Sequence, residues 1–455
     1  MTRPETTDLI HDWAADGPHR AAWPDHVMLD DETLRDGLQS PSVTDPGLEV
    51  KVELLHLMDS LGIETADVGL PGAGPRQVEA VTRLCREIVE QKLGIRPNCA
   101  ARTLMVDIQP IAEISQRTGI PIEACVFIGS SPIRLYAEEW DLNHILRHTT
   151  EAVSFAVKEG LPVMYVTEDT VRASPEHLRV LLTAAVDAGA ERVCLCDTVG
   201  AAVPEGVMNL VTWVRGLLDE AGGDIGIDWH GHRDRALDVA NTLAAIKAGA
   251  SRVHGTALGI GERVGNTPIE QILVNLKLLG VRQDDLTHLS EYLELVAKAT
   301  AMPIPIGTPI IGRDAFRTAT GVHAAAVIKA QRKGDAWLAD RIYSGVPASW
   351  IGREQEIEIG HMSGASNVLH YLRAHGMPVF FGDATRPDLL HAAGCAEAQL
   401  FVIATDERVH SLRIAETLRE HYPDLPIVAR AYDVRQAHVL RGAGVEHTVC
   451  DVNGG

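Results

Sequence analysis

Aromatic side chains are scarce in this 455-residue chain, at 4% of the total. That leaves few flat faces for a base-stacking platform and argues against single-stranded nucleic acid as a ligand. Positive charge is also in deficit: 41 Lys and Arg stand against 62 Asp and Glu, for a formal charge of −21. Nucleic acid and an acidic membrane surface are therefore excluded as general partners. A small anionic substrate is not, because a local arginine or metal ion overrides the global field. No apolar run approaches the roughly 18 residues that span a bilayer. Met1 to Trp23 is polar, interrupted by prolines and without the apolar core of a signal peptide, so the expected location is the cytoplasm. The seven cysteines, Cys85, Cys99, Cys125, Cys194, Cys196, Cys395 and Cys450, are odd in number and scattered, mostly in strand-like apolar runs. They read as buried reduced thiols rather than a disulfide framework, and Cys194-Leu195-Cys196 has the wrong spacing for a zinc knuckle.

What is present is an aliphatic, alanine-rich core, with hydrophobic residues at 45%. The length suggests two or three domains, although a single α/β barrel can occupy more than half of it. Short apolar runs alternate with segments of helical periodicity. Strands are expected at His26 to Leu29, Thr65 to Leu70, Asn98 to Arg102, Ile122 to Ile128, Pro162 to Thr167, Arg192 to Cys196, around His230, and at Arg252 to Thr256. Helices are expected at about 48–61, 77–92, 108–118, 142–159, 175–188, 204–220, 236–248 and 268–279. Eight strand-then-helix units in about 255 residues match the size and alternation of a (β/α)8 TIM barrel. Asp36, Arg102, Ser131, Glu168, Thr198, His230, His232 and Glu262 all lie just after a strand. In such a barrel the strand C-termini converge on one mouth, where active sites form.

Two stretches carry the chemistry. Asp31-Glu32-Thr33-Leu34-Arg35-Asp36-Gly37-Leu38-Gln39 packs acids, an arginine and a turn glycine into the exit of the first strand. A carboxylate beside a guanidinium can hold a cation and a developing oxyanion together; the plainer reading is a surface ion pair. His230-Gly231-His232 places two imidazoles on one face of an extended chain, half of a plausible metal site when an acid joins them.

These stretches, together with Glu168-Asp169-x-x-Arg172, Asp197-Thr198-Val199-Gly200 and Gly259-x-Gly261-Glu262-Arg263-x-Gly265-Asn266, resemble the metal-dependent barrel lyases and synthases: isopropylmalate, homocitrate and citramalate synthases and HMG-CoA lyase. The resemblance covers roughly residues 25–370. It implies a divalent cation (Mg, Mn or Zn) on Asp36, His230 and His232, with Asn266 as a fourth ligand or a group behind them. It further implies that Arg35 stabilises the enolate oxygen of a thioester, that Gln39, Arg102, Ser131 and Thr198 contact the 2-oxo acid, and that Glu168 and Glu262 orient water and thioester. The last barrel loop, Gly261 to Asn266, lacks the cysteine turn of the lyases and looks like the synthases. His323 and Tyr343 resemble the pair that assists proton transfer in the neighbouring subunit of a homodimer. The implied reaction is a Claisen condensation of acetyl-CoA with a 2-oxo acid; the alternatives are a lyase, or a regulatory nucleotide-binding protein with a relic barrel.

Where the family has His-x-His-Asn-Asp this chain has Arg233, which adds positive charge and suggests a substrate with a further carboxylate or phosphonate. The tail changes character near Gly376. Val379 to Thr385, Leu400 to Asp406 and Ile427 to Ala431 read as three buried strands and resemble half of the nucleotide-binding regulatory domain of Kef-type potassium efflux systems, without its glycine-rich loop. The expected organisation is an N-terminal extension (1–24), the barrel (25–285), a helical subdomain completing the site (286–376) and a small C-terminal α/β, half-Rossmann-like segment (377–455).

Overall fold

A computed structural model describes residues 9–14, 22–380, 382–405 and 407–450. The chain divides into two compact units, residues 1–317 with 340–355 and residues 318–339 with 356–455.

The first unit is a closed barrel of eight parallel strands in sequential order: β1 (Met28–Asp31), β2 (Thr65–Asp67), β3 (Arg96–Arg102), β4 (Glu123–Gly129), β5 (Val163–Glu168), β6 (Arg192–Asp197), β7 (Gly226–Gly231) and β8 (Arg252–Gly255). Closure comes from β8 pairing with β1, Leu29 opposite Val253 and Asp31 opposite Gly255. Helices follow the strands at Leu48–Ser60, Pro75–Gln91, Met105–Thr118, Leu142–Lys158, Pro175–Asp187, Pro204–Ala221, Asp238–Ala248 and Ile269–Leu278. Proline opens the helices at 75, 175 and 204, where its fixed φ and missing N–H cost nothing. An additional short helix, Pro132–Glu138, sits in the β4 loop. Two residues after β4 ends, the Ser131 side chain caps it by accepting from the Arg134 N–H. The apolar faces of helices and strands form one continuous aliphatic core, with Trp229, Tyr165 and Tyr292 its largest fully buried members. Among the described residues no helix is long and apolar enough to cross a membrane.

The lumen of the barrel is ionic at one level. Asp228 on β7 accepts from Arg192 Nε at 2.6 Å, from His254 Nε2 at 2.9 Å and from Arg252 Nε. Arg252 also reaches Glu123 at 2.5 Å, and Asn98 donates to Asp30 at 2.6 Å. Burial works against the Asp228 carboxylate, yet Arg252 and Arg192 hold it well below the usual range. Such a network stabilises only while it is complete, since one missing partner strands a charge in a dry interior.

The second unit carries the helices Gly321–Arg332 and Ala365–Ala374, which pack on each other where Gly321 meets Gly364. It continues into a parallel sheet of Phe401–Ile403, Ile427–Ala431 and His447–Cys450, in that order, with helices Arg408–His421 and Val434–Gly442. Ile403, Leu418, Ile427, Ala429 and Leu440 make its separate core. The strand expected at Val379 to Thr385 is not formed among the described residues; Phe381 lies outside them. Met377 and Phe380 are exposed, and among the described residues this segment pairs with none of the strands of the sheet. The third strand is instead His447–Cys450, whose alternating half-buried pattern is too weakly apolar to stand out in the sequence. Asp406, at the end of the expected Leu400 to Asp406 strand, also lies outside the described residues.

Replacing Arg252 by Met removes one charge from the lumen network and leaves Asp228 and Glu123 short of a partner. Chemical denaturation should show the barrel transition destabilised by about 3–5 kcal/mol; an unchanged midpoint would mean the network is solvated.

Candidate active site

The site begins where β1 ends. The Asp31 carboxylate accepts from the Thr33 N–H at 2.8 Å and from the Tyr292 hydroxyl at 2.7 Å, which ties the turn to the helix Leu289–Thr300. Burial pushes Asp31 up to about 6. The turn then presents Arg35 to three carboxylates. Its Nε donates to Asp67 at 2.6 Å, Nη1 to Asp36 at 2.5 Å and Nη2 to Glu32 at 3.1 Å. Burial alone would lower the guanidinium, but Asp67, Asp36 and Glu32 hold it well above its ordinary value. Asp67, at the end of β2, is itself raised to about 7 by burial despite Arg35.

At the end of β7, His230 and His232 turn their Nε2 atoms toward each other, 3.3 Å apart. The two nitrogens border one shared space. Glu32 Oε2 lies 2.7 Å from His230 Nδ1, an ion-pair contact. Glu32 Oε1 takes Arg35 and, at 3.0 Å, His254 Nδ1 from β8. Burial opposes the Glu32 charge, but His230, Arg35 and His254 hold the carboxyl well below the usual range. His254 is fully buried, which by itself would lower it, yet the acids around it and the hydrogen bond to Asp228 hold it well above its usual value. His232 is pushed down to about 4 by burial and by His230.

This donor set fits a divalent cation. One oxygen of Asp36 and one nitrogen each of His230 and His232 lie within 4.8 Å of one another. His232 is held neutral, the form that ligates, and its Nδ1 is buried with no hydrogen-bond partner. His230 has a carboxylate behind its other nitrogen, the arrangement that orients ligating imidazoles. Asp36 stays ionised: burial works against it, but Arg35 and His230 hold it below its ordinary value.

Asn266 lies behind Asp36, and its Oδ1 is buried with no hydrogen-bond partner. Its amide Nδ2 donates to Asp36 Oδ2 at 2.6 Å and to the Ile260 carbonyl at 3.1 Å, so it orients the carboxylate. The loop that brings it there is tight: Gly265 has φ +102, and a Cβ on it would collide with the Gly259 carbonyl oxygen.

A cavity of about 280 Å³ opens over these groups. It brings together Arg35, Asp36, Gln39, Glu168, Thr198, His230, His232 and Glu262 of the residues expected from sequence. Burial raises Glu168 above the usual carboxylate range. Other expected contributors do not line the cavity. Arg102 is exposed and forked onto Asp107 at 2.6 and 3.0 Å. Ser131 is fully buried and donates to Asp169. Arg233 is half-buried, its guanidinium packed against the Gly259 turn. His323 and Tyr343 are both exposed. Sequence reasoning gave no role to Glu32, Asp67 or His254. The signal for His254 was available: it lies two residues after Arg252 in an expected strand, where alternation puts both on one face.

A family model described as HMGL-like matches residues 26–296, and one described as TrkA-N domain matches residues 364–451. The chain is 30% identical over 395 residues to a 2-isopropylmalate synthase of Sulfolobus acidocaldarius, covering 85% of this chain and 95% of that one. It is 31% identical over 357 residues to a homocitrate synthase of Methanopyrus kandleri, covering 78% and 84%. Of two longer relatives from that organism it spans 66% and 67%. The crystal structure of hydroxymethylglutaryl-CoA lyase from Pseudomonas aeruginosa shares the fold, with a TM-score of 0.53 at 18% identity over 63% of this chain and 96% of that one. With the match extending over more than half of its length, from the first strand to beyond the eighth, this chain belongs to the HMGL-like family.

Proposed function

We propose that this chain is an acyl-transferring condensing enzyme that joins acetyl-CoA to a 2-oxo acid, giving a 2-alkylmalate and CoA. The observation that carries the reading is Arg35 beside the Asp36, His230 and His232 donor set on the wall of one cavity. When bound there, a divalent cation supplies Lewis acidity to the ketone of a chelating 2-oxo acid. Arg35 donates toward the oxyanion that forms when the acetyl thioester loses an α-proton. Glu168, raised by burial and facing the cavity, is placed to accept that proton. The carbanion carbon bonds to the ketone carbon, the resulting alkoxide is protonated, and water cleaves the thioester to release the CoA thiol.

The inner wall narrows the substrate class. Leu70, Ala100, Phe127, Met164 and Val166 line it together with three cysteines. The arginines of the lining are Arg35, whose Nε, Nη1 and Nη2 already donate to three carboxylates, and Arg263, held by Asp234 at 2.9 Å and by the Thr198 carbonyl. A second carboxylate pointing inward would lose its hydration without gaining a partner. The further-carboxylate role suggested for Arg233 therefore has no support in its position outside the lining. The substrate class we favour is a 2-oxo monocarboxylic acid with an apolar side chain.

The resemblance also implies a homodimer in which His323 and Tyr343 act on the neighbouring chain's cavity. Their exposure is compatible with that role.

Four outcomes follow from this reading. Release of CoA thiol from acetyl-CoA should require a 2-oxo acid and a divalent cation and disappear with a chelator. Glu32→Gln should weaken metal binding about 10–100-fold, measured by metal titration; thiol release indifferent to metal would refute the site. Among 2-oxo acids, 2-oxoisovalerate or 2-oxobutyrate should exceed oxaloacetate and 2-oxoglutarate by about 100-fold in kcat/KM, corresponding to the ~3 kcal/mol cost of an unpaired buried group. The reverse ranking would remove the apolar assignment. Mixing inactive Asp36→Asn and His323→Ala chains under subunit exchange should restore activity if the dimer shares its sites; no recovery would count against the shared site.

A further inference from the structure

The floor of the cavity is built from sulfur. Cys194 and Cys196 are alternate residues of β6 and so project to the same side of the strand, into the lumen. Their Sγ atoms are 3.8 Å apart. Cys125 on β4 and Met164 on β5, paired directly across the sheet, complete a separate buried cluster with them. Cys196 stands opposite His230 in the β6–β7 register, so the dithiol sits immediately beside the proposed metal centre. TIM barrels ordinarily fill this position with branched aliphatic side chains.

Buried cysteines often act only as small apolar residues, and Cys85 and Cys99 are of that kind: both are fully buried and neither lines the cavity. Cys194 and Cys196 differ because both line a cavity that opens to solvent. A pyramidal trivalent centre with bonds of about 2.3 Å to sulfur holds its two sulfurs about 3.4 Å apart, so the pair must close by only a few tenths of an ångström to act as a chelate. Among the described residues no third thiol, imidazole or carboxylate joins them in a metal-binding group. The acceptable ligand is thus one satisfied by two sulfurs, and the dry floor favours a product without net charge.

We propose that Cys194 and Cys196 form a dithiol capture site for trivalent organoarsenicals at the base of the cavity. The step is a condensation without oxidant: R–As=O and two thiols give R–As(S)₂ and water, with two As–S bonds formed, two S–H bonds broken and both protons leaving on the oxide oxygen. Burial raises the Cys194 and Cys125 thiols well above their ordinary value. The chelate gains from closing both bonds in one place. Capture is independent of the condensing reaction proposed above, whereas inhibition of turnover rests on it.

The probe is phenylarsine oxide added to the full-length chain, read by native intact mass and by peptide mapping. A single phenylarsenic group should be gained, retained in excess monothiol and removed by 2,3-dimercaptopropanol. After proteolysis it should reside on the one peptide containing Cys194-Leu195-Cys196. A bridge between Cys85 and Cys99 would instead join two peptides. Cys194→Ala and Cys196→Ala should each abolish the adduct, and Cys85→Ser should keep it. Mapping on the unmodified sequence keeps the test decisive if a lumen variant fails to fold. An adduct on any other cysteine, or none, overturns the proposal. Capture without loss of thiol release would leave the site intact and count against the condensing reaction's use of this cavity.

Discussion

The Glu32 carboxylate is the contact on which the site depends. It is nearly inaccessible to solvent, and it engages Arg35 from its own turn, His230 from β7 and His254 from β8. Each partner supplies positive charge or a proton to a group that burial would otherwise neutralise. Through Glu32 the first, seventh and eighth strands are held in one electrostatic unit at the seam where the barrel closes.

Around that contact the charges are arranged in layers. Asp36, Glu32 and Asp67 crowd a single guanidinium, and burial lifts Asp67 to about 7 despite it. The region above Asp36 therefore attracts further positive charge, and the imidazoles that share the space are kept neutral or oriented to receive it. Beneath, His254 passes from Glu32 to Asp228, and Asp228 to Arg192 and Arg252. The ionic lumen is thus the support on which the ligand geometry stands, and a barrel with an aliphatic filling at this level could not orient Glu32 in the same way.

Much of this was readable before any coordinates. The alternation of apolar runs placed all eight strands within a few residues, because parallel strands buried on both faces read as continuous aliphatic segments. Asp36, His230 and His232 stood out because polar groups at strand ends have one common destination in such a barrel. The Arg102 and Ser131 assignments rested on the same rule, yet local partners intercepted both side chains: Asp107, in the first turn of the next helix, captures one guanidinium, and Asp169 captures the hydroxyl. Position after a strand specifies the end of the barrel, whereas the direction of a long side chain is set by whichever opposite charge is nearer.

What the sequence determined by itself was periodic and local: the strand-helix repeat, the helix starts at proline, the tight glycine loop before Asn266 and the His-x-His spacing. Its register-dependent content was hidden. The pairing of Glu32 with His254, the approach of Asp228 to Arg252 and the Sγ separation of Cys194 and Cys196 join elements or side chains through the curvature of a closed sheet. In the tail, Val379 and Phe380 had strand-like composition but no neighbour, while His447–Cys450 had a neighbour and little apolar signal. A strand is completed by the hydrogen bonds of another strand, and the tertiary structure alone decides which segments find one.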